Sequence, residues 1–588
     1  MTHTALNTAA SPDATLDLVA EPAPAKTEVS LHQAVGNHTV AEEYSYPQQV
    51  LNQPRPIRII IIGAGIAGIA GVKLFKERFA GLPVSLTIYE KNADVGGTWL
   101  ENRYPGCACD VPAHGYTFSW EGNPNWSQAY VTAPEIWAYY QGRAKEYGVY
   151  EYLHVNHRVV GAVWSEKAGA WQVEIEDVAQ SRTFTDQAEF IINATGFLNK
   201  WKWPEIRGLD TYKGHKVHSA RWDDSFDFTG KKVAVIGNGS SAIQIVPILR
   251  KFTSHLVSLN RSPTWITPEF GTEFAPEGRG QVFTEEQKQG WANDPKGFKE
   301  YRQRVETTMN QVFDLFYKES QLQKDAMQHF RIQMKQKLGK KGHLIDKLAP
   351  NFSVGCRRVT PGHNYLESLA EDNVTIETGQ ILKITPDGIE MEDGTIYTDI
   401  DAIVCATGFD TSFRPAFPVV GLKGDLREVW KDEPKSYLGM SAAGFPNFFF
   451  ATGPNCPVAN GTFIPCLERI ISYVYELITK AQKQGIKSIS PKPEAVDDFQ
   501  VYKDSLMKDL VWTGGCRSWY KNGQVDGKVW GPWPGSALHF LESIEVPRWE
   551  DFDLNYMNNN RFSYFGNGKT SREVNGVDLG YYVTQPGA

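Results

Sequence analysis

Two short stretches carry residue types suited to holding a dinucleotide. The first reads Gly63-Ala64-Gly65-Ile66-Ala67-Gly68, a GxGxxG turn. In such a turn the first glycine permits the bend, the second lets a pyrophosphate approach the backbone, and the third lets the next helix pack on the strand. The helix N-terminus then offers its partial positive charge to phosphate. Glu90 follows Gly68 by about 20 residues, where an acid is expected to hold ribose hydroxyls. The second stretch reads Gly237-Asn238-Gly239-Ser240-Ser241-Ala242, with alanine in the third place as the pattern permits. Its next strand ends not in an acid but in Asn260-Arg261-Ser262. Arginine suits a 2′-phosphate that an acid would repel. The second site is therefore expected to take NADP(H) in preference to NAD(H). Two sites imply two nucleotides, and an NADPH that reduces a flavin is the economical reading.

Both turns need a strand before and a helix after. Residues 57–62 form an apolar, β-branched run broken only by Arg58, as expected of a strand buried on both faces of a parallel sheet. A helix over 66–79 and a strand over 84–90 complete the unit. The same order recurs as strand 233–236, helix 241–251 and strand 255–260. Strand-like runs return at 374–376 and 400–406. Residues 280–348 are polar and helix-prone. Asn193-Ala194-Thr195-Gly196 and Cys405-Ala406-Thr407-Gly408 each follow an apolar strand. Such small turns suit close passage beside a cofactor and crossing between domains.

Composition bounds the rest. The 588 residues are 41 % hydrophobic and 22 % charged, with 52 glycines and 17 tryptophans, which excludes collagen, disorder and a coiled coil. The net charge of −8 and the lack of a basic stripe argue against a nucleic-acid binder. The seven scattered cysteines do not read as a disulfide framework, and Cys107 and Cys109 have the wrong spacing for a redox or zinc knuckle, so no metal is expected. The N-terminal stretch lacks a signal-peptide pattern, and the apolar run 59–72 is too short to span a bilayer. A soluble, cytoplasmic protein without stable membrane insertion is expected.

Beyond the glycine turns, the chain resembles the type I Baeyer–Villiger monooxygenases, FAD- and NADPH-dependent flavoproteins that insert oxygen beside a carbonyl. That family's short fingerprint, FxGxxxHxxxW followed by Pro or Asp, stands here as Tyr212-Lys213-Gly214-His215-Lys216-Val217-His218-Ser219-Ala220-Arg221-Trp222-Asp223. Tyr212 replaces Phe and keeps the ring. The longer fingerprint is matched by Gly96-Gly97-Thr98-Trp99, Tyr104-Pro105-Gly106 and Asp110. The resemblance spans roughly residues 55–550 and is loose across the helical segment.

The resemblance implies an α/β protein with two Rossmann-like dinucleotide-binding domains and a helical insertion. The expected division is an N-terminal extension at 1–54, FAD-binding parts at 55–203 and 401–588, NADP-binding parts at 204–265 and 351–400, and the insertion at 266–350. It also implies a reaction in which NADPH reduces FAD, O2 adds to the flavin as a C4a-peroxide, and a ketone becomes an ester or lactone. Arg358, in Gly355-Cys356-Arg357-Arg358, would be the catalytic guanidinium and Asp110 its orienting carboxylate, with Arg357 nearer the NADP phosphate. Gly97, Thr98, Trp99, Asp110, Tyr116 and Val159 would join the FAD site. Ala108, Cys109, Asp110, Arg357, Arg358 and Trp519 would join the NADP site. His218 and Trp222 would belong to the interdomain linker. The rival reading is a flavin enzyme that oxygenates nitrogen or sulfur. Which ketone is used, and the oligomeric state, are not legible.

Overall fold

A computed structural model describes residues 44–271, 273–458, 461 and 463–583. The chain divides into a unit of residues 1–48 and a unit of residues 49–588. Of the first, only residues 44–48 are described, and they carry neither helix nor strand. Most of the expected N-terminal extension therefore lies outside the described residues. Its last part does not: Gln49 and Leu51 exchange backbone hydrogen bonds with Asn567 and Lys569, both 2.8 Å.

The isoleucine run Ile57–Ile62 is the centre of a five-stranded parallel sheet. Its neighbours are Val84–Tyr89 on one side and Phe190–Asn193 on the other, with Leu153–His154 and Phe448–Phe450 at the edges. Alternate isoleucines serve opposite layers, and Arg58, the one charged residue of the run, pairs with Asp186 at 2.5 Å. Ile59 and Ile61 pack with the helices Ile66–Arg78 and Ile464–Gln484. Ile60 and Ile62 pack against a mixed sheet built from His157–Ser165, Ala170–Asp177, Arg182–Ala188, Val419–Gly421 and Gly424–Asp425, antiparallel except where Val419–Gly421 pairs with His157–Ser165. Each fully buried isoleucine contributes about 1.5–3 kcal/mol before entropy.

A second parallel sheet repeats the plan. Lys232–Ile236 is central, flanked by His255–Leu259 and Ala402–Cys405, with Val374–Glu377 and His215–His218 at the edges. Helix Ser240–Leu249 covers one face and a small sheet from Ile381–Ile384, Ile389–Met391 and Ile396–Tyr397 covers the other. The second sheet thus runs past residue 400. The expected boundary at 400/401 falls just before one of its inner strands, because Ala402–Cys405 pairs with Lys232–Ile236 rather than with the first sheet. The expected helical insertion contains Glu285–Asn293, Pro295–Asn310 and Gln321–Lys337.

The chain leaves the first sheet after Asn193 and returns from the second after Cys405. These two crossings run antiparallel: Asp410 N donates to Lys200 O at 2.7 Å, and Trp201 and Phe409 form an antiparallel bridge. Among the described residues, no helix is long and apolar enough to cross a membrane.

Candidate active site

The two glycine turns are built alike. Gly63 donates to Tyr89 O at 2.8 Å and Gly237 to Leu259 O at 3.0 Å, so each turn is tied to the end of the neighbouring strand. Each is backed by one of the small turns at the crossings. Gly63 has φ +104°, and a Cβ there would meet Ala194 O at 2.8 Å; Gly237 has φ +119°, and a Cβ would meet Ala406 O at 2.4 Å. A Cβ at Gly68 would meet Gly63 O at 2.3 Å, which explains the third glycine. At Gly65 the nearest atom is Gly97 Cα, at 3.7 Å, and at Gly239 nothing lies within 4 Å. Both second glycines therefore leave room at a helix N-terminus, on Ile66–Arg78 and Ser240–Leu249, where a pyrophosphate fits.

The structure places Ala64, Ile66 and Ala67 in the first turn and Thr98 at the start of the short helix Thr98–Glu101 beside it. Gly96 N donates to Ala64 O at 3.0 Å, docking the Gly96-Gly97 bend on the first turn. Trp99 and Tyr116 pack edge to face, with centroids 5.5 Å apart. Val159 is buried with Ile62 and Tyr89. Glu90 stands at the end of its strand, 4 % exposed, and burial raises its carboxyl. Its oxygens accept from Ala64 N and Asn92 N, both at 2.8 Å. Glu90 thus braces the glycine turn itself, a role its position alone did not disclose.

Around the second turn, Asn238 donates from its side chain to Ser262 O at 2.6 Å, and Ala242 is fully buried in the third glycine's place. Arg261 is exposed. Arg357 donates to Pro263 O and Thr264 Oγ1, on the same stretch as Arg261. Burial, and then the nearby Arg261, push the Arg357 guanidinium down to about 10. Arg357 Nε is buried without a hydrogen-bond partner. Two cations drawn together beside the second glycine turn suit a phosphate monoester.

The adjacent Arg358 turns the other way. One of its terminal nitrogens donates to both Asp110 oxygens, at 2.8 Å each. The Asp110 charge raises the Arg358 guanidinium above its ordinary value, so it is permanently charged. The Arg358 side chain is 38 % exposed and that of Asp110 15 %. The segment that presents Asp110 is held across the two sheets by Gln244, on the second-turn helix: Gln244 donates to Ala108 O at 3.0 Å and accepts from the Tyr104 hydroxyl at 3.0 Å. Cys109 is buried there, and burial pushes its thiol up to about 12 and that of Cys107 to about 11, so both stay protonated near neutrality.

The short fingerprint is the edge strand of the second sheet. Tyr212 donates to Ile400 O at 2.6 Å, and its hydroxyl would lie 2.3 Å from a Cβ at Gly214, so the glycine makes way for the ring. His218 is 1 % exposed and stacks on Trp201 at 4.8 Å. Its Nδ1 accepts from Ala220 N at 3.1 Å, and its Nε2 lies 3.2 Å from Thr407 Oγ1. Burial pushes its pKa down to about 4, so the ring is neutral. His218 joins the fingerprint to the second crossing. Trp222 stacks on Phe228 at 5.3 Å.

The chain matches the family model described as flavin-binding monooxygenase-like over residues 56–278. It is 40 % identical to the FAD-binding monooxygenase tazF of Aspergillus terreus over 90 % of this chain and 95 % of that one. It is 32 % identical to a Baeyer–Villiger monooxygenase of Pseudomonas aeruginosa over 86 % of this chain and 93 % of that one. Its structure is similar to that of cyclohexanone monooxygenase from Rhodococcus sp. Phi1 bound to NADP+, with TM-score 0.73 and 25 % identity over 86 % of this chain and all of that one. The chain belongs to the flavoprotein monooxygenases of the Baeyer–Villiger type.

In this flavin-dependent monooxygenase, several residues of the site carried no signal of their own in the sequence. Trp519 stacks on Phe197 at 5.4 Å, and Phe197 on Phe413 at 6.0 Å. Phe197 directly follows the first small turn, which was its only available signal. Tyr520 is 1 % exposed and close enough to Arg358 that each affects the other's charge. The expectation of no disulfide framework needs correcting: Cys356 and Cys516 form a disulfide. They lie 160 positions apart, and spacing of that size carries no information about proximity in space.

Proposed function

We propose that this enzyme converts a ketone to an ester or lactone, using FAD, NADPH and O2. The observation that carries the reading is the Arg358–Asp110 pair, in a chain whose two glycine turns each leave room for a pyrophosphate. Gly63, Gly65 and Gly68 would hold the FAD pyrophosphate, and Gly237, Gly239 and Ser240 that of NADP. Arg261 and Arg357 would receive the 2′-phosphate, which favours NADPH over NADH. When bound, the two cofactors supply reducing equivalents and activated oxygen.

The chain's own residues then have defined tasks. Arg358 offers a permanent charge with fork-shaped donors, which stabilises negative charge developing on oxygen. Asp110 fixes the direction of that fork. Asp110 occupies one Arg358 nitrogen, leaving the others free of it to face substrate oxygen. The Trp519–Phe197–Phe413 stack supplies an apolar wall that excludes water. The buried thiols stay protonated and His218 stays neutral, so none of them changes protonation state near neutrality.

A panel of cyclic, linear and polycyclic ketones, followed by NADPH oxidation and product mass, tests the reading. Esters or lactones heavier than the ketone by one oxygen atom are expected. Oxygenation of amines or thioethers alone, with every ketone refused, would replace it by the nitrogen- or sulfur-oxygenating alternative.

A further inference from the structure

The Cys356–Cys516 disulfide joins the two halves of the proposed site. Cys356 lies two positions before Arg358, and Cys516 three before Trp519. Both cysteines are buried, at 0 % and 1 % exposure. The Arg358 side is firmly seated. Gln323, 1 % exposed, accepts from Val354 N at 2.9 Å and donates back to Val354 O at 2.8 Å, tying this stretch to the helical insertion.

The other side is not seated in this way. Trp512 packs on Phe316 at one end of the segment, and Asn455 holds Val529 O and Pro532 O at the other. Between these ends, among the described residues, the hydrogen bonds of residues 514–527 run within 511–531. Ser518 N donates to Gln524 O, Lys521 Nζ to Gly514 O, and Arg517 to Gly523 O. Gly515, Arg517, Asn522 and residues 524–528 are exposed. The contacts that draw this span onto the site are the Trp519–Phe197 stack, the packing of buried Tyr520 into the second sheet's core beside Arg358, and the disulfide. The first two are non-covalent and reversible. A covalent link makes docking of the span intramolecular, and so raises the fraction of time it is docked.

We propose that the Cys356–Cys516 disulfide is a redox-sensitive clasp. Oxidised, it holds the Trp519–Tyr520 span over Arg358; reduced by a dithiol, it frees the span and lets water reach the site. In the reduction, a thiolate of the dithiol attacks one sulfur and expels the other as thiolate. The second thiol of the reagent then closes on the mixed disulfide. Two electrons and two protons pass to the cysteines, and the dithiol leaves as a cyclic disulfide. Access needs only local opening at the exposed Gly515 and Arg517 that flank Cys516. The consequence for turnover rests on the proposed ketone oxygenation; the clasp itself does not.

The test uses the full chain with FAD bound, alkylated at isolation and mapped without reductant. A linked peptide pair containing Cys356 and Cys516 is expected. Limited trypsin digestion should cut after Arg517 slowly in this form. Digestion should quicken severalfold after dithiothreitol and in Cys356→Ser and Cys516→Ser, with dithiothreitol adding nothing in the variants. With a ketone that is turned over, peroxide formed per NADPH should rise severalfold on reduction while flavin reduction by NADPH keeps its rate. Free, alkylated Cys356 and Cys516 in the isolated protein would overturn the clasp. So would unchanged digestion and peroxide yield after verified reduction of wild type, a measurement that needs no variant to fold. If redox-dependent digestion holds but no ketone is oxygenated, the clasp stands and the proposed reaction falls.

Discussion

A single terminal nitrogen of Arg358 spans both carboxylate oxygens of Asp110, at 2.8 Å each, across 248 positions of sequence. The arrangement commits one nitrogen to Asp110 and leaves the other guanidinium nitrogens free of it. Arg358→Ala should keep bound flavin and its reduction by NADPH, yet lose ester formation by on the order of 10²–10³-fold. Product and peroxide measured against NADPH consumed will check this. Ester formed near the wild-type rate would remove Arg358 from the mechanism.

Asp110→Ala should cost oxygenation about 10–100-fold, the worth of a hydrogen bond to a charged group. On the proposed role of Asp110 as the residue that orients Arg358, adding its substitution to Arg358→Ala should cost little more. Single and double variants compared by product formation read this directly; a fully additive loss would mean that Asp110 works independently.

Arg261 is exposed at the mouth of the second turn, beside Arg357. Arg261→Ala should raise KM for NADPH by about 10–100-fold and leave KM for NADH unchanged. Steady-state kinetics with both coenzymes measure the contrast, and equal losses for both would rule out recognition of the 2′-phosphate here.

The two glycines of the second turn should fail differently. A Cβ at Gly239 meets nothing within 4 Å, so Gly239→Ala should melt like wild type and bind NADPH poorly. Gly237→Ala must fit a Cβ 2.4 Å from Ala406 O at φ +119°, and should lose about 1–3 kcal/mol of stability. Thermal melting and NADPH titration separate the two.

Glu468 gives a pH signature. It is 7 % exposed and accepts from Ser119 N at 2.8 Å, and burial pushes its carboxyl from 4.5 up to about 7. Between those values the folded chain holds a proton that the unfolded chain has released. Stability therefore falls as pH rises through this window, by about 3 kcal/mol once pH exceeds the folded value. Glu468→Gln should flatten that slope in denaturant titrations from pH 5 to 8; an unchanged slope would assign the titration elsewhere.

The parts of the fold that were legible are those written locally. The Ile57–Ile62 run announces a strand buried on both faces, and each glycine turn announces the strand and helix around it. Arg358 and Asp110 were reached through fingerprint resemblance, since neither has a local pattern of its own. What stayed hidden depends on segments that meet only in space: the Gln244 bridge to Ala108, the Phe197 face under Trp519, and the Cys356–Cys516 bond. Glu90 shows a subtler limit. Its type and spacing pointed to a sugar, while its oxygens also brace the turn that precedes it.

The paired crossings have a mechanical consequence. Two antiparallel strands joined at Asp410–Lys200 and Trp201–Phe409 make a ribbon, which bends across its flat face far more easily than within its plane. The paired residues of this ribbon begin six positions beyond Ala194 on one side and three beyond Ala406 on the other, the two alanines that back the glycine turns. Any swing of one nucleotide unit against the other is thereby steered toward a single axis, and its torque reaches both phosphate cradles at once.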